Sequence, residues 1–242
     1  METSALRTLW TECFGNEDGW IDTFLKTAFA PSRVCALSCE GRLAAALSWM
    51  DAACEGRKLA YLYAIGTHPD YRGQGLCREL MGLTHEKLAG QGYAGCILVP
   101  ADAGLRQMYG TMGYVNFGGI REIPARAGKA IPLRQAAPEE YAALRRAYLP
   151  KGGVVQEAGA IEYLAAGAKL YAGQDFLLAA VPEGEALFGL ELLGDAAKAG
   201  GILGALGYER GTFRAPGDSL FAMFRPLTEG GWTPGYFGLA FE

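Results

Sequence analysis

The chain has 242 residues, half of them hydrophobic, with 22 Lys+Arg against 26 Asp+Glu and a formal net charge of -4. That length allows one large domain or two small ones and suffices for a substantial core, while the slightly acidic balance argues against a nucleic-acid binder. No run of about 18 apolar residues occurs, so no membrane span is expected.

In chain order, Ser4 can cap a first helix with Leu6, Leu9, Trp10 and Phe14 on its apolar face. Gly15-Asn16 breaks it. A second helix runs from Asp18 to Phe29, with Trp20, Ile21, Phe24 and Leu25 largely on one side. Val34–Cys39 and Leu43–Ala52 read as a hairpin about Glu40-Gly41-Arg42. Leu59–Thr67 is the next strand, Gln74–Ala89 a helix, and Ala94–Val99 a short buried strand. A helix over Gly104–Met112 precedes a strand pair, Tyr114–Phe117 with Ile120–Pro124. Ala125–Ala130 is small and basic and reads as a linker. Beyond it come a strand at Ile131–Arg134, helices from Pro138 to Tyr148 and from Gly159 to Leu170, and a hairpin of Phe176–Val181 with Ala186–Leu193. A helix over Ala196–Leu206 and strands at Tyr208–Arg214 and Ser219–Arg225 lead to an aromatic, glycine-rich tail. These elements predict an α/β fold of the mixed-sheet α+β type, with domains at 1–126 and 127–242. Met108–Tyr114 and Ile202–Tyr208 echo each other, either as an internal repeat or as two instances of a common helix stop.

Six cysteines lie at 13, 35, 39, 54, 77 and 96, no CxxC occurs, and His68 and His85 are the only histidines, so no metal site is expected. METSALRTLWTECFG lacks the apolar core of a cleavable leader, and the cysteines read as reduced in a cytoplasmic protein.

The most informative stretch is LAYLYAIGTHPDYRGQGLCREL, residues 59–80. An apolar strand stops at Pro69-Asp70. Tyr71-Arg72-Gly73-Gln74-Gly75 follows, and Leu76, Leu80, Leu83 and Leu88 then fall at helical spacing. Two glycines let the backbone approach a ligand, and loop N–H groups at a helix start present partial positive charge to an anion, most often a phosphate. A Walker-A nucleotide site is the rival reading, but the required Gly-Lys-Ser/Thr is absent.

Thr67-x-Pro69-x-Tyr71-Arg72-Gly73-Gln74-Gly75-Leu76, with Tyr109-Gly-Thr-Met-Gly113-Tyr114, resembles the GCN5-related N-acetyltransferase (GNAT) superfamily. Cys77 departs from the pattern, standing where Gly or Ala is usual, and the family's opening strand is missing. The resemblance is specific over 59–118, reasonable over 4–124 and weak over 127–242. The second part looks like a degenerate copy in a two-part (tandem) layout, with a separate small α+β cap as the alternative. The resemblance implies an acyl-CoA N-acyltransferase fold, acetyl-CoA as co-substrate with no metal, and acetyl transfer to a primary amine by direct attack. The partners it implies are a small-molecule or peptide amine acceptor, with neither nucleic acid nor membrane; a homodimer stays open.

The resemblance places Ile65, Gly66 and Thr67 along the pantetheine arm, and the backbone of Gly73, Gln74, Gly75, Leu76, Cys77 and Arg78 around the pyrophosphate. Arg72 either holds the loop or touches phosphate. Tyr109 takes the position of the general acid that protonates the leaving thiolate. Asp102 reads as a helix cap. The base is left open between His68 and Glu242, since some two-part acetyltransferases place the chain's C-terminal carboxylate in the active site; the apolar tail from Tyr236 is suited to docking. Trp10, Phe14, Trp49, Met50, Asp51, Tyr61 and Tyr63 could line the acceptor pocket, with core packing the plainer role for the aromatics. A non-catalytic acyl-CoA-binding or regulatory module is the alternative function.

Overall fold

The computed structural model describes residues 3–15 and 19–241. Helix α1 is described from Thr3 to Phe14 and α2 from Trp20 to Thr27, both amphipathic, with Leu6, Leu9, Trp10, Ile21 and Phe24 buried. Ser4 thus lies in the first turn of α1 rather than ahead of it, and the expected start of α2 at Asp18 lies outside the described residues.

Strands β1 (Val34–Cys39), β2 (Arg42–Cys54) and β3 (Arg57–Thr67) form an antiparallel meander. A 3-10 turn at Pro69–Tyr71 and helix α3 (Leu76–Gly90) then cross to β4 (Gly95–Leu98), which lies parallel to β3. Helices α1 and α2 cover one face of this sheet and α3 the other, because apolar residues occupy both sides of β2 and β3, as expected of strands buried on both faces.

Helix α4 (Ala103–Gly110) leads to β5 (Val115–Phe117), and there the chain leaves the expected path. Strand β6 (Ile120–Arg126) does not pair with β5. It enters a second sheet, antiparallel to β12 (Arg210–Pro216). In return β13 (Ala222–Pro226) enters the first sheet, between β4 and β5. The two connections pass each other at glycines. A Cβ on Gly119 would lie 2.0 Å from the Gly217 carbonyl oxygen, while the Gly217 N–H bonds the Gly119 carbonyl at 3.2 Å. Only glycine permits so close a backbone crossing.

The second sheet also holds β7 (Leu133–Gln135), β9 (Lys169–Gly173), β10 (Phe176–Glu183) and β11 (Ala186–Gly194), in the order β7-β9-β10-β11-β12-β6. Helices α5 (Pro138–Tyr148) and α6 (Ala158–Gly167) precede the β9-β10-β11 meander, and a 3-10 turn with α7 (Ala199–Leu206) crosses from β11 to the parallel β12. This connectivity parallels that of β1-β2-β3-α3-β4. The helix expected through Leu170 stops at Gly167, and 169–173 pairs as β9 instead. The short β8 (Val155–Gln156) bonds the inner end of β2, a link between the halves that no local sequence pattern announces. By connectivity α7 corresponds to α3, whereas Met108–Tyr114 closes α4. The echoing heptapeptides therefore occupy non-equivalent places and share only helix-stop chemistry.

The tail docks as its apolarity predicts. Tyr236, Phe237, Leu239 and Ala240 are buried, the Val154 N–H bonds the Tyr236 carbonyl, and the Gln156 side chain donates to the Leu239 carbonyl.

Candidate active site

The site grows from the outer end of β3. The β3–β4 ladder spans only Leu59↔Gly95, Ala60↔Cys96 and Tyr61↔Ile97, after which β3 runs on to Thr67 without a strand on that side. The two parallel strands thus splay into a slot, edged by backbone of residues 62–67 that a ligand can address as an added strand would. Within this edge the β2–β3 register shifts between Ser48↔Tyr63 and Ala46↔Gly66, forming a β-bulge. Ala64 adopts a positive φ of 52° there, a strained state for a non-glycine residue. The Trp10 indole N–H donates to the Ala64 carbonyl at 2.9 Å and stabilises the turned peptide. The bulge thus precedes Gly66. At Gly66 a Cβ would meet the Cys13 Sγ at 3.0 Å, so the residue is small to admit α1 as well as to flank the slot.

Beyond Thr67 the chain turns through His68 and the 3-10 turn into the exposed loop 72–75. Gly73 and Gly75 take φ of 77° and 83°, and a Cβ on either would meet nothing within 4 Å. Both must be glycine for their conformation, and the space beside them is open to a ligand. Gly75 is the residue before α3, whose first N–H groups point out of the helix beside this loop. The Arg72 Nε–H donates to the Thr67 carbonyl at 3.1 Å and ties loop to strand. Gln74 donates to the Asp70 carbonyl at 3.5 Å. Ile65, Thr67, Leu76 and Cys77 are half-buried and Arg78 is exposed, its guanidinium donating to the Thr111 hydroxyl at 2.8 Å across to the end of α4.

Tyr109 lies on α4, 5% exposed, with its ring 5.8 Å from that of Tyr114. Its hydroxyl has no hydrogen-bond partner among the described residues. Burial, then the proximity of Cys77 and Asp102, pushes the phenol above its ordinary range and keeps it protonated. The Cys77 thiol is also pushed up by burial, against the opposing charge of Arg78. Asp102 caps α4 by accepting from the Leu105 N–H at 2.7 Å.

Other expected residues fall elsewhere. His68 is buried; its Nδ1 accepts from the Asp70 N–H, and its Nε2 lies 2.8 Å from Glu12 Oε2, so it shapes the loop instead of facing the slot. Asp51 does not line an acceptor pocket. It is buried in an ion pair with Arg33 at 2.5 Å and accepts from the Tyr93 hydroxyl, which in turn accepts from Trp49 at 3.1 Å. Met50 and Trp10 are core residues, whereas Phe14 is half exposed. Glu242 lies outside the described residues. All six cysteines are free, and among the described residues no His/Cys/Asp/Glu group is arranged to hold a metal. No described helix is long and apolar enough to cross a membrane.

Tertiary structure adds residues that the sequence did not single out. Tyr163 on α6 and Phe241 in the tail pack against Tyr63, next to the bulge, with ring centroids at 5.8 and 6.3 Å. The Phe241 N–H donates to the Tyr61 hydroxyl at 3.4 Å. These neighbours lie 100 residues or more from Tyr63 in sequence, and no local motif announces them.

Residues 1–116 match the family model described as an acetyltransferase (GNAT) domain. Among solved structures the chain is similar to a GCN5-related N-acetyltransferase from Kribbella flavida, at 16% identity and a TM-score of 0.70 over 94% of this chain and 71% of that one. A GCN5-related N-acetyltransferase from Anabaena variabilis gives 15% identity and 0.71 over 94% and 71%. Eis1 from Mycobacterium abscessus gives 15% and 0.69 over 93% and 70%. At these identities the likeness is one of fold. No curated protein matches the sequence.

Proposed function

Since the chain belongs, through residues 1–116, to the acetyltransferase (GNAT) family, we propose that it moves an acetyl group from acetyl-CoA to a primary amine in one direct step. The observation that carries this reading is the junction of three parts: the splayed, bulged end of β3, the open Gly73/Gly75 loop on the start of α3, and the buried, protonated Tyr109 beside them. In this reading the backbone edge at Ile65, Gly66 and Thr67, which has no neighbouring strand on the β4 side, receives the pantetheine arm, and the N–H groups from Gly73 to Arg78 receive the pyrophosphate. Arg72 serves as the brace of that loop. The amine nitrogen attacks the thioester carbonyl carbon, a backbone N–H at the bulge stabilises the oxyanion, the C–S bond breaks, and Tyr109 gives its proton to the thiolate. The amine's surplus proton leaves to a base, for which Glu242 is our candidate because Phe241, its neighbour in sequence, sits beside Tyr61 and Tyr63. The second sheet's repeat of the first sheet's connectivity supports a tandem layout whose second part lacks the glycine loop, although β6 and β13 are exchanged across a division into 1–126 and 127–242.

Tyr109→Phe tests the acid. It is expected to lower kcat about a hundredfold or more while leaving the acetyl-CoA Kd unchanged, as measured by steady-state kinetics and calorimetry. Unchanged kcat removes Tyr109 from the mechanism. Deleting Glu242 is expected to lower kcat on the order of a hundredfold and to shift the acidic limb of the kcat/KM–pH profile; an intact profile retires Glu242 as the base.

A further inference from the structure

On the α1/α2 side of the slot, a ring cluster draws on both halves of the chain. Tyr63 stands one residue before the bulge at Ala64. Its ring lies 5.9 Å from Trp20 on α2, 5.8 Å from Tyr163 on α6 and 6.3 Å from Phe241 in the tail. The two phenols bond each other, oxygen to oxygen, at 2.8 Å. Such a pair uses one of its two O–H protons and leaves one O–H and several lone pairs unused. Neither hydroxyl has another hydrogen-bond partner among the described residues, and both tyrosines are only partly buried. Neighbouring polar groups are already engaged: the Trp10 N–H with the Ala64 carbonyl, the Trp20 N–H with the Gly15 carbonyl, and Glu12 with Arg42 and His68. A polar pair with spare capacity, set among rings beside an open strand end, points to a ligand on that side.

We infer that the Tyr63–Tyr163 hydroxyl pair is the docking point for the acceptor's amino group, and that the acceptor is a monoamine carried on an aromatic or apolar body. This inference rests on the acetyl-transfer reading of the same site. A primary ammonium donates N–H bonds to both phenol oxygens, and the neighbouring rings of Trp20 and Phe241 give its apolar body a contact surface. Burial pushes both phenols upward in pKa, so the pair stays neutral and takes the ammonium through its lone pairs. Tyr163 belongs to α6, so the second half of the chain sets the choice of acceptor.

The test measures acetyl transfer by the full chain to 2-phenylethylamine and to spermidine, with acetyl-CoA binding followed separately by calorimetry. The expected result is a kcat/KM at least roughly tenfold higher for 2-phenylethylamine. Tyr163→Phe is expected to raise its KM about tenfold, with kcat within about twofold and with the acetyl-CoA Kd and Tm unchanged, the size set by a hydrogen bond to a charged group. Tyr63→Phe is expected to give the same shift from the other partner. A preference for spermidine, an unmoved KM in both variants, or bound acetyl-CoA with neither amine acetylated overturns the inference and leaves acetyl-CoA binding standing. Failure to bind acetyl-CoA overturns the acetyl-transfer reading and the inference with it.

Discussion

His85 shows how one side chain's surroundings become a property of the molecule. It is buried on the inner face of α3, with Nε2 2.9 Å from the Tyr114 hydroxyl. Burial, and then the charge of Arg225, pulls its pKa down from 6.5 to about 4. The unfolded chain therefore binds more protons than the folded one between these values, so stability is full above about pH 6.5 and falls as pH drops toward 4. The expected loss between pH 7 and pH 5 is about 1–2 kcal/mol after allowance for solvent screening, read from urea unfolding at the two pH values. His85→Gln is expected to flatten that slope. The same scale separates two kinds of residue in the candidate site. Gly73, Gly75 and Tyr109 were legible because a short motif carries them. Ala64 was not, because Leu59–Ile65 is apolar throughout and a shift in strand phase leaves no mark in a run without alternation.

At the scale of elements, the chain crossing is the least expected feature. Strand propensity at 114–117, 120–124 and 219–225 was readable, but partner choice was not, since short apolar strands fit several neighbours. The crossing is held by glycines packed backbone to backbone, and this supplies its own test. Gly119→Ala places a methyl carbon against the Gly217 carbonyl, which cannot swing aside as a side chain would. A loss of about 1–3 kcal/mol is expected, seen as a lowered Tm. Gly82→Ala is the control: it sits on the exposed face of α3 with nothing within 4 Å, and is expected to be neutral or stabilising by up to about 1 kcal/mol. Equal effects of the two substitutions would show that the crossing is not tightly packed.

For the whole molecule, the halves are joined by strand exchange, by β8 on β2, and by the tail, which packs on Tyr61 and Tyr63 and is held by a buried polar cluster of the second half. Arg145 on α5 is 2% exposed and bonds Glu191 on β11, itself fully buried, through Nε at 2.6 Å and a second nitrogen at 2.9 Å. The Tyr236 hydroxyl donates to the same carboxylate at 3.1 Å. Removing one partner leaves an uncompensated buried charge. Arg145→Met is expected to cost about 3–5 kcal/mol, or very roughly 10 °C in Tm for a chain of this size. The double variant Arg145→Met/Glu191→Leu is expected to recover most of that loss, as measured by thermal unfolding. Near-additive losses would place the energy in packing rather than in charge pairing.

By itself the sequence determined the parts that depend on local chemistry. Helix periods, the β1–β2 hairpin, the glycine loop, the Asp102 cap and an apolar tail able to dock all follow from neighbours within a few residues. Tertiary structure alone decided which strands exchange between sheets, where β3 bulges, that Asp51 faces Arg33 instead of a substrate, and that Tyr163 and Phe241 close around Tyr63. These outcomes depend on side chains tens to hundreds of residues apart competing for the same buried space, and no local pattern carries the result of that competition. The glycine-loop side of the candidate site is thus readable from one loop, while the ring cluster around Tyr63 exists only after both halves have packed.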